Sequence, residues 1–154
     1  MKAVFQRVTE ASVTVDNECI AAIGNGVLLL VGVCEGDTEH EAALLAKKVA
    51  ELRVFSDADD KMNLSVLDIG GSVLAVSQFT LCANTARGRR PDFFHAAKPS
   101  VAQPLFDGFV RYLKEQGITD VQTGQFGADM KVRLLNDGPV TILLDTDTWK
   151  KGSV

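Results

Sequence analysis

The sequence predicts a single α+β domain with mostly antiparallel β-sheets and two main helices packed on them. Short segments rich in Val, Leu, Ile and Thr recur along the chain, separated by turn residues. Apolar residues stand at helical spacing in only two windows, 38–52 and 100–117. The 154 residues are 46% hydrophobic and 23% charged, with no linker and no low-complexity segment, which suits one sizeable core.

Taken in order, Lys2 to Val8 and Ala11 to Asp16 read as a hairpin joined around Thr9-Glu10, with Cys19 to Ile23 a third short strand. Gly24-Asn25-Gly26 is a turn, and Val27 to Val33 a central strand. Thr38-Glu39-His40-Glu41 fits a capping box, and Ala42, Leu45, Ala46, Val49 and Leu52 form the buried stripe of the first helix. Arg53-Val54-Phe55 is a short strand. The acidic run Ser56 to Lys61 lacks the glycine and closing glutamate of a calcium loop, so it reads as a solvated turn. Gly70-Gly71 precedes Val73 to Val76, an apolar run suited to a strand buried on both faces.

After an irregular connection from Pro91 to Pro99, Ser100 and Gln103 stand at capping-box spacing, which puts Pro104 near the first turn of the second helix. Leu105, Phe109, Tyr112 and Leu113 make its stripe, and Gly117 stops it. Thr119 to Thr123 is a short strand, Met130 to Leu135 a half-buried one, and Asn136-Asp137-Gly138-Pro139 a turn into the last strand, Val140 to Asp145. Residues 1–145 form the domain and 146–154 a C-terminal tail, frayed from Trp149 to Gly152.

The formal charge of −4 disfavours coating a phosphate backbone, because Lys and Arg supply most of that affinity. A local basic patch suffices for a short strand end. The opening Met1 to Arg7 interleaves charged and apolar residues, unlike a signal peptide, and the apolar run Val27 to Val31 is too short to span a bilayer. Cys19, Cys34 and Cys82 are odd in number and widely spaced, so they read as small core residues in a reducing compartment, not as a disulfide framework or zinc site. These features point to a soluble cytoplasmic protein.

Where could chemistry reside? At Ser77 the apolar strand turns polar without stopping. If the strand continues, Gln78 and Thr80 share one face while Ser77 and Phe79 share the other. Buried polar groups there need partners in the protein, in water or in a ligand. The next segment, Cys82 to Pro91, is a glycine-containing loop with Arg87, Arg89 and Arg90. Together these features make a site for an anionic, partly apolar ligand.

The remaining inventory is short. His40 and His95 are far apart, which leaves no Ser/His/Asp set and no metal-like companion at helical spacing, so no metal is expected. His95 lies within possible approach of Thr80 but reads more simply as a loop residue. Cys82, without an activating base, reads as structural. No phosphate-binding glycine fingerprint occurs, so no cofactor is expected. Gly138-Pro139 is either a simple turn or a cis bond, which would aim two carbonyl oxygens the same way as a rigid acceptor surface.

Ser77-Gln78-Phe79-Thr80-Leu81 and Asn136-Asp137-Gly138-Pro139-Val140-Thr141 resemble the two signature motifs of the D-aminoacyl-tRNA deacylase family. The similarity extends to Ala3–Val15, Lys61–Ser65, Gly88-Arg89-Arg90-Pro91 and Phe126–Val132. Cys82 stands where the family often has Tyr, which would alter packing under the site, and Phe94-His95 is a local variant; neither touches a motif residue.

The resemblance implies a barrel-like homodimeric hydrolase that cleaves the ester joining a D-amino acid, or glycine, to the terminal adenosine of tRNA. It implies that Gln78 and Thr80 serve catalysis, and that Ser77, Phe79 and Met130 help hold the aminoacyl-adenosine. Gly138-Pro139, in cis, would enter the partner's site and reject the L isomer. Arg87, Arg89, Arg90 and Lys98 are then candidates for the tRNA end. Without a histidine pair or metal, backbone N–H groups near Phe79 and Thr80 would form the oxyanion hole. The attacking group is either Thr80 Oγ1 or a water activated by the substrate's 2′-OH, and a threonine without a base is the weaker nucleophile. A non-catalytic nucleic-acid-binding module and a purely structural dimer are the rival readings.

Overall fold

The computed structural model describes residues 1–150. Its backbone is one long strand, β1 (Lys2–Val15), where the sequence reading expects a hairpin. Thr9-Glu10 offers no glycine, proline or asparagine to reverse the chain, so the strand runs on. One edge of β1 pairs antiparallel first with β3 (Gly26–Gly32) and then with β2 (Glu18–Ile23). Its other edge pairs with β8 (Lys131–Asp145) from end to end.

β3 pairs in parallel with β6 (Ser72–Ser77), and β6 in parallel with β7 (Val121–Thr123). The sheet order is β2-β1-β3-β6-β7 with β8 beside β1, so two parallel pairings sit within a mostly antiparallel sheet. Its ends nearly meet: Gln122 Oε1 on β7 accepts from the Ala22 N–H on β2 at 2.9 Å. A separate small ribbon joins β4 (Phe55–Ser56) to β5 (Met62–Leu64).

Strand alternation divides the apolar residues between two cores. Val27, Leu29 and Val31 of β3, with Val73 and Ala75 of β6, face α1 (Glu39–Glu51) and α2 (Pro99–Glu115). Leu28, Leu74 and Val76 point the other way, into the barrel, with Val8, Val13 and Ile23. Val73 to Val76 is thus buried on both faces, as its unbroken apolar run requires.

Thr38 caps α1 as expected, its hydroxyl accepting from His40 N–H while Glu41 accepts from Thr38 N–H at 2.7 Å. α2 starts earlier than expected. Pro99 takes the first helical position, with Lys98 as cap, so Pro104 lies inside the helix beyond its first turn. Gly117 ends it with φ +107°, a conformation glycine adopts without strain.

The Asn136–Pro139 turn is also a correction. Both halves of β8 pair with β1 in the same antiparallel sense, so the chain never reverses there. Beyond β8, Thr146–Trp149 forms a 3-10 turn where fraying is expected. Thr146 is buried, Trp149 packs on the main core, and Lys48 Nζ lies 5.2 Å from the Trp149 ring centroid. Residues 151–154, the remainder of the expected tail, lie outside the described residues.

The cysteines depart from expectation as well. Cys34 and Cys82 are joined by a disulfide across 48 residues, with Cα atoms 5.9 Å apart. The pair is produced by tertiary packing and has no signature in local spacing. Cys19 is free and exposed.

Candidate active site

The parallel strands β3 and β6 end side by side, with Val31 opposite Ser77. Beyond their carboxyl ends the sheet stops and the backbone must turn away, which is where parallel sheets characteristically leave a crevice. A cavity of about 600 Å³ opens there. Ser77, Gln78, Phe79 and Met130 line it, so four of the residues singled out from the sequence meet in one place.

The expected strand through Thr80 stops at Ser77. Phe79–Cys82 is a 3-10 turn, so side-chain alternation does not continue through Gln78 and Thr80. Gly32 explains the close seat of this turn. A Cβ on that residue would lie 3.0 Å from Gln78 O and 3.0 Å from Leu81 Cβ. Gln78 N–H also donates to Val31 O at 2.7 Å, as though the ladder ran one residue further. Gln78 Nε2 donates to Thr80 Oγ1, which fixes the amide against the hydroxyl; Thr80 itself, expected in the pocket, is not among the residues that line the cavity. The first N–H groups of such a turn have no partner within it.

Other walls come from residues the sequence reading did not assign to the pocket. Phe93 packs edge-on against Phe79 at 5.1 Å between centroids, and Phe106 and Phe126 form an apolar floor with Ala97 and Ala102. The Phe126–Asp129 stretch, noted in the sequence only as a similarity, lines the cavity next to Met130. Lys98 reaches the cavity at the start of α2, while Arg87, Arg89 and Arg90 stand exposed on the loop before it. His95 makes no side-chain hydrogen bond to Thr80 among the described residues. It lines a separate cavity of about 200 Å³ with Cys34 and Cys82.

Gly138 and Pro139 do not line the cavity. They sit on a bulge: Gln6 pairs with Thr141 but Val8 with Asn136, so the residues between leave the β1–β8 ladder. Asn136 closes it, accepting from Val140 N–H at 3.0 Å and donating to Thr141 Oγ1 at 2.8 Å. Arg7 braces it from β1, with Nε donating to Asp137 O at 3.0 Å. The Gly138–Pro139 peptide is cis, and both residues are exposed at the crest.

The family described as D-Tyr-tRNA(Tyr) deacylase matches residues 4–145. A D-aminoacyl-tRNA deacylase of Chloroflexus aurantiacus is 57% identical over 146 residues, 95% of this chain and 91% of the relative. Another from Geobacter sulfurreducens is 58% identical, covering 95% of each. Among solved structures, one titled c-Myc DNA unwinding element binding protein superposes with a TM-score of 0.90 at 43% identity, covering 94% of this chain and 98% of its own. A probable eukaryotic D-amino acid tRNA deacylase shares the fold alone, with a TM-score of 0.79 at 16% identity. With the two motifs at the strand ends and on the bulge, this match over nearly the whole length makes the chain a member of the D-aminoacyl-tRNA deacylase family.

Proposed function

We propose that the protein hydrolyses the ester bond of D-aminoacyl-tRNA, and of glycyl-tRNA mischarged on a non-cognate tRNA, releasing free amino acid and tRNA in the cytoplasm. The observation that carries this reading is the cavity at the ends of β3 and β6. It is lined mostly by apolar side chains, is large enough for an aminoacyl-adenosine, and carries a few polar groups in Ser77, Gln78, Lys98 and Asp129.

In this mechanism the terminal adenosine lies against Phe79 and Met130, with Ser77 and Gln78 fixing the ester. Water adds to the ester carbonyl, its proton accepted through the substrate's 2′-OH. The oxyanion is held by the N–H groups of Phe79 and Thr80. Collapse of the tetrahedral intermediate expels the ribose 3′-oxygen, which takes the proton. Thr80 orders Gln78 and is not itself the nucleophile, because no base stands beside its hydroxyl.

Stereochemical rejection falls to a second copy of the chain. The Gly138–Pro139 crest of one protomer enters the cleft of the other, where main-chain carbonyls meet the substrate's amino group and leave no room for an L side chain. A D side chain points to solvent, so its identity matters little. Two features support the dimer: β8 is an edge strand, and Leu135 and Leu143 on it are 57% and 79% exposed beside the crest.

The 43% identical structure is named for binding a DNA element, which supports a second reading, a module that binds nucleic acid without catalysis. The charge of −4 weighs against duplex coating. Deacylation of D-Tyr-tRNA against L-Tyr-tRNA tests the proposal. Rapid loss of the D ester with the L ester intact supports it. Equal binding of charged and uncharged tRNA with no ester loss overturns it in favour of the binding module.

A further inference from the structure

We infer that Cys34 and Cys82 form a redox modification site that governs how firmly the turn bearing the catalytic contacts is held. This rests on the reading of Phe79–Cys82 as part of the deacylase site. Cys82 is the last residue of that turn and Cys34 follows β3, and the disulfide ties one to the other. The turn is otherwise held without covalent bonds: by the Gln78 N–H bond to Val31 O at 2.7 Å, by the close seat of Leu81 and Cys82 over Gly32, and two residues on by the Asn84–Asp92 backbone pair at 2.8 and 3.0 Å. The disulfide is its one covalent tie to the end of β3 among the described residues.

Access to the two sulfurs is unequal. Cys82 is 2% exposed, whereas Cys34 is half-buried. The cavity of about 200 Å³ that Glu35, Ala83 and His95 help to line opens beside the pair, distinct from the substrate cavity. A small thiol can reach the Cys34 sulfur there. Its thiolate attacks Cys34, the S–S bond breaks, and Cys82 leaves as a thiolate that takes up a proton. A second thiol attacks the mixed disulfide at the small molecule's sulfur and releases Cys34 as a thiol. The protein disulfide gains two electrons and two small thiols become one disulfide. An excess of small disulfide drives the same steps backward. Disulfides of proteins in reducing compartments are commonly of this exchangeable kind. Oxidised, the turn is tied covalently to the residues after β3. Reduced, it keeps only its packing and hydrogen bonds, and the N–H donors of Phe79 and Thr80 lose part of their preorganisation.

The test equilibrates the full chain with reduced or oxidised glutathione. Iodoacetamide alkylation of the acid-quenched, then unfolded protein and intact mass should find one free thiol, Cys19, in the oxidised sample and three in the reduced one. Three in both overturns the site without reference to activity. The D-Tyr-tRNA deacylation rate should fall roughly tenfold on reduction, since looseness of catalytic groups costs rate. Cys34→Ser should show the lower rate in both buffers. A wild-type rate that ignores redox state, with the thiol count as expected, overturns the governing role. If neither form deacylates, the deacylase reading fails instead, and hydrogen exchange at Thr80 and Leu81 still decides the matter. Faster exchange on reduction supports the site, and unchanged exchange overturns it.

Discussion

Arg7 and Asp137 are joined across the β1–β8 ladder, the Arg7 Nε donating to the Asp137 carbonyl at 3.0 Å while Nη1 donates to Val54 O at 2.7 Å. The guanidinium is nearly buried, with its side chain 12% exposed, and it stands against the bulge that carries Gly138 and Pro139. Removing it leaves two carbonyls without donors, at a cost of about 1.5–3 kcal/mol for hydrogen bonds to a charged group. Arg7→Ala should lower the denaturation midpoint and also narrow the D/L rate ratio, because the crest loses its brace. Arg7→Lys should do nearly the same, since an ammonium cannot span both acceptors with the fork geometry. Chemical denaturation and paired deacylation assays read the two effects. An unchanged D/L ratio in a folded Arg7→Ala protein would show that the brace has no role in selectivity.

Gly32 gives a second prediction because it separates space from backbone conformation. The Cβ of alanine would lie 3.0 Å from both Gln78 O and Leu81 Cβ and 3.4 Å from Cys82 Sγ. A main-chain oxygen cannot rotate away, so the turn must lift. Gly32→Ala should destabilise by about 1–3 kcal/mol as overpacking does. On the proposed mechanism it should also reduce kcat more than it raises KM, because the proposed donors would shift relative to the ester while the apolar side of the cavity stays in place. A loss confined to KM would place the turn outside the chemical step.

For Thr80 the discriminating result is how much activity survives. The hydroxyl accepts from Gln78 Nε2, so Thr80→Ala frees the amide but removes no base. A loss of about tenfold or less is expected from this positioning role. A fall to background with tRNA binding intact, or an acyl-threonine adduct in the mass spectrum, would restore the threonine as nucleophile. Substrate ending in 2′-deoxyadenosine should lose nearly all turnover on the wild-type enzyme.

These contrasts show what the sequence does and does not disclose. The α1 cap and the two-sided burial of Val73 to Val76 are local patterns, and each stands where the residues predict. The unbroken β1 was harder to read, because two apolar halves joined by Thr9-Glu10 resemble a hairpin until three partner strands hold them straight. The turn at Phe79 carries no glycine or proline, so its start is set by the end of the β3–β6 ladder and the room over Gly32. The Cys34–Cys82 bond and the aromatic floor from Phe106 and Phe126 join segments far apart in the chain. No spacing rule reports such contacts.

The α1 cap predicts a pH dependence with a definite sign. The Thr38 side chain, as the chief cause, holds the Glu41 carboxyl below its ordinary 4.5 by favouring the charged form in the fold. A lowered carboxyl contributes stability that is present above its unfolded value and lost as pH falls through the folded one. Glu41 is half-buried at the helix surface and still screened by solvent, so the amount is about a few tenths of a kcal/mol. The difference in stability between wild type and Glu41→Gln should therefore be steady from neutral pH to about 4.5 and shrink below it. Thr38→Ala, which removes the hydroxyl acceptor as well, should cost about 1 kcal/mol at neutral pH. Denaturant melts of both variants between pH 3 and pH 7 measure this. A margin that widens on acidification would contradict the assigned cause.

Leu143 tests the assembly. It is 79% exposed on an edge strand, so replacing it should leave an isolated protomer's stability within about 0.5 kcal/mol. If a second copy covers that face, Leu143→Asp buries a charge against apolar surface, and the dimer should dissociate at concentrations where wild type holds together. Selectivity should then fail with assembly, because the crest of Gly138 and Pro139 leaves the cleft that needs it. Sedimentation velocity reads the mass, and deacylation of D and L esters at the same concentrations reads the consequence. Folded monomers that still reject L-Tyr-tRNA would place the stereochemical filter within one protomer, where neither Gly138 nor Pro139 lines the cavity.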